Sequence, residues 1–132
     1  MMGFVIDAYA WVEYFDGTPA GKRVAEIIEN KNSAVYTNVI TIAELADHFQ
    51  RRGVGFETAR EIINSVSLLY SITADFAAEA GKLHADLKKS RKNISMADVF
   101  VLLTAQKLKA KVVTGDEDFR GLPEVIMIKE KK

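Results

Sequence analysis

Short apolar runs alternate along the chain with longer stretches whose apolar residues recur every three or four positions. Phe4-Val5-Ile6, Ala34-Val35-Tyr36-Thr37, Leu68 to Ile72, Lys111-Val112-Val113-Thr114 and Val125 to Ile128 are short and rich in β-branched, aromatic or other large apolar side chains, and they read as strands. Between them lie six helical patterns. Ala8 to Phe15 carries Trp11, Val12 and Phe15 at helical spacing and is broken by Asp16-Gly17. Thr18-Pro19 opens the second, with proline suited to the first helical position, and its stripe is Val24, Ile27 and Ile28, ending at Asn30 to Asn32. The third holds Glu44, Leu45, His48 and Phe49 and runs to Gly53-Val54-Gly55. The fourth spans Phe56 to Ser67. A fifth runs from Thr73 to the basic run Lys88-Lys89-Ser90-Arg91-Lys92, and a sixth, strongly apolar, from Ser95 to Lys109. Lys129 to Lys132 reads as a frayed basic tail.

Strands and helices thus alternate over residues 1–132, with no repeat, linker or low-complexity segment to divide them. The pattern predicts one α/β domain, a parallel sheet covered by helices on both faces. A length of 132 residues suits a single core, and 48% hydrophobic with 27% charged residues predicts a soluble globular protein. The formal net charge is zero, so any contact with nucleic acid must rest on a local basic patch. With no cysteine there is no disulfide framework and no thiolate zinc site, which fits a cytoplasmic location. The N-terminal segment lacks the basic region and long apolar stretch of a signal peptide, and no run of about 18 apolar residues suggests a membrane span.

Four acids stand out against this topology. Asp7 follows the first strand, Glu44 lies a short way past the second, Asp116 follows the fourth, and Asp98 sits in the first turn of the helix that feeds the fourth. In an open parallel sheet the carboxyl ends of the strands share one edge, and ligands bind there. Each acid also has an ordinary structural reading. Asp7 can cap a helix, Thr41-Ile42-Ala43-Glu44 and Ser95-Met96-Ala97-Asp98 both have the form of capping boxes, and Thr114-Gly115-Asp116 can be a turn. Convergence of all four is what an edge-binding site predicts and what chance does not. Carboxylates about 4 Å apart repel by about 1–4 kcal/mol per pair, so such a cluster calls for cations. Oxygen-only donors favour hard ions, Mg²⁺ or Mn²⁺, one or two of them.

Four stretches carry a family likeness: Phe4-Val5-Ile6-Asp7-Ala8, Thr41-Ile42-Ala43-Glu44-Leu45, Ser95-Met96-Ala97-Asp98-Val99 and Val113-Thr114-Gly115-Asp116-Glu117-Asp118-Phe119. In order and spacing the chain resembles the PIN-domain ribonucleases and, within them, the VapC toxins of toxin–antitoxin systems. The resemblance implies a three-layer α/β/α sandwich around a central parallel sheet of four or five strands. It implies Mg²⁺- or Mn²⁺-dependent hydrolysis of RNA by Asp7, Glu44, Asp98 and Asp116, through in-line attack of an activated water that leaves a 5′-phosphate and a 3′-hydroxyl. Asp7 and Asp98 are the expected direct ligands, with Glu44 and Asp116 completing the shell. Thr114 matches a supporting hydroxyl, and Asp118 either assists or shapes the turn. It further implies a small antitoxin as inhibitor and a homodimer. The chain departs from the family pattern at Tyr9, where a small hydroxyl residue is common.

Substrate RNA entering an acidic pocket needs a basic rim. Arg51 and Arg52, and Lys88, Lys89, Arg91 and Lys92, are the candidates, against the plain reading of a solvated helix end. His48 shares the helix face of Glu44 and reads more simply as a surface histidine. His84 reads as structural or exposed, and Trp11, Tyr14 and Phe15 as core or partner interface. Two rivals remain: a PIN-fold module that binds or regulates RNA without cutting it, which a metal-titrated nuclease assay separates, and another phosphoryl-transfer fold. Asp7-Ala8-Tyr9 lacks the second acid of a dehalogenase-like phosphatase, and no Gly-rich phosphate loop is present.

Overall fold

The computed structural model describes residues 1–130. Its elements in chain order are β1 (Met2–Ile6), α1 (Ala8–Asp16), α2 (Pro19–Glu29), β2 (Ser33–Asn38), α3 (Val39–Arg51), α4 (Glu57–Val66), β3 (Leu68–Tyr70), α5 (Ala74–Lys88), α6 (Met96–Leu108), β4 (Lys111–Thr114), a short 3-10 helix (Glu117–Phe119) and β5 (Val125–Met127). The five strands form one parallel sheet in the order β3-β2-β1-β4-β5. The sheet grows one way from β1 through β2 to β3, then resumes on the other side of β1 with β4 and β5. The strand order therefore reverses between β1 and β4, which opens a crevice at their carboxyl ends.

Alternation along β1 assigns the two faces. Phe4 and Ile6 pack with Ala10, Trp11, Ala20, Val24, Leu45 and Ile63 on the face covered by α1, α2, α3 and α4. Val5 packs with Val101, Leu102 and Ala105 of α6 on the other. α5 lies outside α6, where Phe76 and Ala80 meet Val99 and Leu103. This is the expected three-layer α/β/α sandwich. α6 buries Val99, Val101, Leu102, Leu103, Thr104 and Ala105, because it is squeezed between the sheet and α5. That is why its sequence is apolar nearly all round.

Several expectations shift in detail. The third strand stops at Tyr70 rather than Ile72, and the fifth at Met127 rather than Ile128. Thr41 does not cap its helix. Asn38 does, its side chain accepting from the Ile40 N–H at 2.7 Å, so the helix begins at Val39 and Thr41 lies inside it. The Asn38 amide also donates to Thr104 Oγ1 at 2.8 Å, tying the end of β2 to α6. Lys129 is not frayed. Its Nζ lies 2.5 Å from Glu13 Oε1 and donates to the Tyr9 hydroxyl at 2.6 Å. The rest of the predicted tail, 131–132, lies outside the described residues. Trp11 is fully buried, its indole N–H donating to Thr37 Oγ1 at 3.3 Å, so it belongs to the core. Among the described residues no helix is long and apolar enough to cross a membrane.

Candidate metal centre

Asp7, Glu44, Asp98 and Asp116 all line one cleft of about 480 Å³ at the carboxyl edge of the sheet. Each is delivered by a different local device. Asp7 follows β1, whose ladder is prolonged by the Asp7 N–H bonding to Val113 O at 3.3 Å, and it caps α1 by accepting from the Ala10 N–H at 2.8 Å. Glu44 stands in the second turn of α3. Asp98 closes a capping box with Ser95: the Asp98 N–H donates to Ser95 Oγ at 3.0 Å, and the Ser95 N–H to Asp98 Oδ2 at 3.0 Å. Asp116 caps the 3-10 helix, accepting from the Asp118 N–H at 2.9 Å. The capping and site readings coexist, because a carboxylate has about four lone-pair positions and a cap occupies one or two.

Thr114 couples the centre of this set. Its hydroxyl accepts from the Asp116 N–H at 2.9 Å and donates to the Asp7 carboxylate. One buried hydroxyl thus fixes the ends of β1 and β4 to each other. Tyr9, which stands where the resemblance implies a small hydroxyl residue, also lines the cleft. Its ring packs on Gly115, where a Cβ would come within 2.4 Å of Tyr9 Cε1, and its hydroxyl receives Lys129. The hydroxyl support for Asp7 comes instead from the neighbouring strand.

Crowded acids resist ionisation here. Asp7 is only 5% exposed, and burial pushes its carboxyl up from 3.8 to about 7, against the pull of Thr114 and the Ala10 N–H and helped by Asp98 and Asp116. Glu44 is also pushed up to about 7, by desolvation and by the charges of Asp98 and Asp116; it is open to the cleft, so solvent screens part of that effect. Burial raises Asp98 as well, with Asp116 and Asp118 adding repulsion against its bonds to Ser95. One carboxylate oxygen from each of Asp98, Asp116 and Asp118 falls within 4.8 Å of the others. Charges at that spacing repel by on the order of 1–3 kcal/mol per pair. A divalent cation relieves that repulsion, and the all-oxygen donor set suits Mg²⁺ or Mn²⁺. The residues present therefore fit such an ion.

The expected basic rim is uneven. Arg51 lines the cleft but is held by Asp47 at 2.7 Å. Arg52 reaches Asp16 at 3.4 Å and His48 Nε2 at 3.2 Å. Lys88 Nζ donates to the carbonyl of Lys92, and Lys89 lies 3.8 Å from Asp86. Arg91 turns inward onto the carbonyls of Asp118 and Arg120. His48 lines the cleft, and His84 Nε2 sits 3.1 Å from Ile94 O between α5 and α6. The cleft also takes in Glu13, Asp16 and Asp47, which the sequence reading passed over. Asp47 had a signal, three residues beyond Glu44 on the same helix face; Glu13 and Asp16 had none.

A profile of the PIN domain matches residues 4–125. Among solved structures the chain is similar to a toxin–antitoxin complex from Klebsiella pneumoniae, at 22% identity and a TM-score of 0.73, covering 96% of this chain and 98% of that one. It is similar to Mycobacterium tuberculosis VapC20, described as a sarcin–ricin-loop-cleaving toxin, at 18% identity and a TM-score of 0.75, covering 92% and 96%. It is also similar to VapBC2 from Rickettsia felis, bound there to promoter DNA, at 18% identity and a TM-score of 0.72, covering 96% and 97%. At these identities the likeness establishes the fold. No curated protein matches the sequence.

Proposed function

The chain belongs to the PIN domain family, and on that footing we propose that it is a divalent-metal-dependent ribonuclease acting on cytoplasmic RNA as the toxin of a toxin–antitoxin pair. One observation carries the reading: four acids from four distant segments line a single cleft at the switch point of the sheet. A module that only bound RNA would gain nothing from concentrating negative charge where the phosphates must come. A complete acid set therefore favours cleavage over passive binding.

In this reading Asp7 and Asp98 are direct ligands of Mg²⁺ or Mn²⁺, with Glu44 and Asp116 completing the shell. A divalent ion held there supplies charge neutralisation at the phosphate and acidifies water. The protein's own residues do the rest. Backbone caps at Ala10, Ser95 and Asp118 fix the rotamers of Asp7, Asp98 and Asp116 before any ligand arrives. Thr114 holds Asp7 and Asp116 at one spacing. Of Glu44 and Asp116, the proposed orienter of the attacking water is Glu44, the one open to solvent. Asp118 adds a carboxylate to Asp98 and Asp116.

A small antitoxin is the proposed partner, supported by the toxin–antitoxin assemblies among the structural neighbours. The aromatic group of Phe15, Phe49 and Phe56, next to exposed Val54, offers docking surface; a second copy of the chain is the proposed homodimer partner. The test is cleavage of labelled single-stranded RNA with Mg²⁺ or Mn²⁺, with EDTA, and by Asp98→Asn. Metal-dependent cleavage that the variant loses is expected. Undiminished cleavage by Asp98→Asn defeats the proposal.

A further inference from the structure

We infer that Arg91 is a positioning residue for the metal centre, a strut that holds the loop bearing Asp116 and Asp118 against the repulsion of its own carboxylates; this rests on the metal-centre reading above. At the end of the 3-10 helix Glu117–Phe119 the Arg120 and Leu122 N–H groups take the Glu117 and Phe119 carbonyls, which leaves those of Asp118 and Arg120 for a side-chain donor. Arg91 Nη1 donates to Asp118 O at 3.1 Å and to Arg120 O at 2.9 Å, so a single guanidinium nitrogen caps that end. A cation at a helix carboxyl terminus is also favourably placed in the backbone field. The chain then turns away at Gly121, with φ +92°, where a Cβ would lie 3.4 Å from Arg91 Nη2. The turn is thus fitted around the guanidinium.

The location gives the strut its meaning. Arg91 sits in the connection that leads through Ile94 and Ser95 into α6, and Ser95 fixes Asp98. One short segment therefore places Asp98 with its cap and Asp116 and Asp118 with its guanidinium. Those three carboxylates are the ones whose oxygens come within 4.8 Å. Without a cation their charges push the loop outward, and the two bonds from Arg91 oppose that movement from behind. Lysine carries the charge, but its nitrogen ends one bond nearer the backbone than Arg91 Nη1, so it does not replace this contact in full.

An RNA-contacting arginine and a strut leave different signatures. Arg91→Gln and Arg91→Lys are compared with the unmodified protein for the Mn²⁺-induced rise in melting temperature, for kcat and KM on single-stranded RNA, and for the salt dependence of KM. The strut predicts roughly 10-fold weaker Mn²⁺ binding and a comparable fall in kcat for Arg91→Gln, the size expected for groups that orient ligands. It predicts KM and its salt slope little changed, and only partial recovery in Arg91→Lys. A rise in KM with unchanged kcat and Mn²⁺ binding, restored by Arg91→Lys, overturns it in favour of an RNA contact. Equal Mn²⁺ shifts in Arg91→Gln and the unmodified protein overturn it outright. If the unmodified protein binds Mn²⁺ but cuts no RNA, the ribonuclease reading fails while the Mn²⁺ shifts still decide the role of Arg91.

Discussion

Replacing Asp7 with asparagine should stabilise the metal-free protein at alkaline pH while destroying its site. Asparagine has nearly the same shape and is an equally good helix cap, so the bond from the Ala10 N–H survives. What disappears is a buried charge. The Asp7 carboxyl is raised from 3.8 to about 7, so between those values the folded state holds a proton that the unfolded chain has released. Stability is fullest below about 4, falls as pH rises to about 7, and is flat above. Three pKa units at 1.36 kcal/mol each set a ceiling of about 4 kcal/mol, a large share of the 5–15 kcal/mol typical of a domain. Relaxation of the neighbouring acids brings the expected gain to about 1–4 kcal/mol at pH 8. Urea melts in EDTA at pH 4.5 and pH 8 measure it, read by the fluorescence of Trp11, the one tryptophan and fully buried. The variant and the parent should lie within about 1 kcal/mol of each other at the lower pH and separate at the higher, and Mn²⁺ should then stabilise the parent and not the variant. A variant no more stable than the parent at pH 8, or one that keeps the parent's pH slope, would refute the reasoning.

Thr114→Val removes the hydroxyl that bridges Asp7 and Asp116. Because that hydroxyl lowers the Asp7 pKa, its loss should move the Asp7 midpoint upward in a carboxyl-detected NMR titration in EDTA and cost about 1–3 kcal/mol in a denaturant melt; an unmoved midpoint would show that the bridge does not act on Asp7. Gly115→Ala should destabilise the protein, because the added Cβ falls 2.4 Å from Tyr9 Cε1, and the loss should be largely relieved in Tyr9→Ser/Gly115→Ala. Equal costs in the two backgrounds, from thermal melts of all four proteins, would show that the ring is not what excludes a side chain at 115.

The alternation of strands and helices was legible because β1 and β4 are buried on both faces and α6 on nearly all sides, leaving uninterrupted apolar runs. The four acids were legible through topology: carboxyl ends of parallel strands share an edge, whatever the side chains do. Errors arose where a side chain outranked the local pattern. Thr41-x-x-Glu44 has the form of a capping box, yet the Asn38 side chain captures the Ile40 N–H and starts the helix three residues earlier. Lys129 looked like tail because its partners, Glu13 and Tyr9, lie at the other end of the sequence. Which residue of Lys88-Lys89-Ser90-Arg91-Lys92 points inward is likewise set by where the 3-10 helix ends, and no pattern within the run records it.

The reversal of strand order has a consequence for timing. β1 is the central strand, and its register with β4 pairs Phe4 with Lys111 and Ile6 with Val113. Segments more than a hundred residues apart must meet before Asp7 and Asp116 can share a cleft, and such distant pairings are the slow ones. Neither the first three strands alone nor any fragment ending before β4 can assemble the four acids. On the ribonuclease reading proposed above, hydrolysis would therefore depend on the β1–β4 pairing, which places Asp7 and Asp116 on one edge.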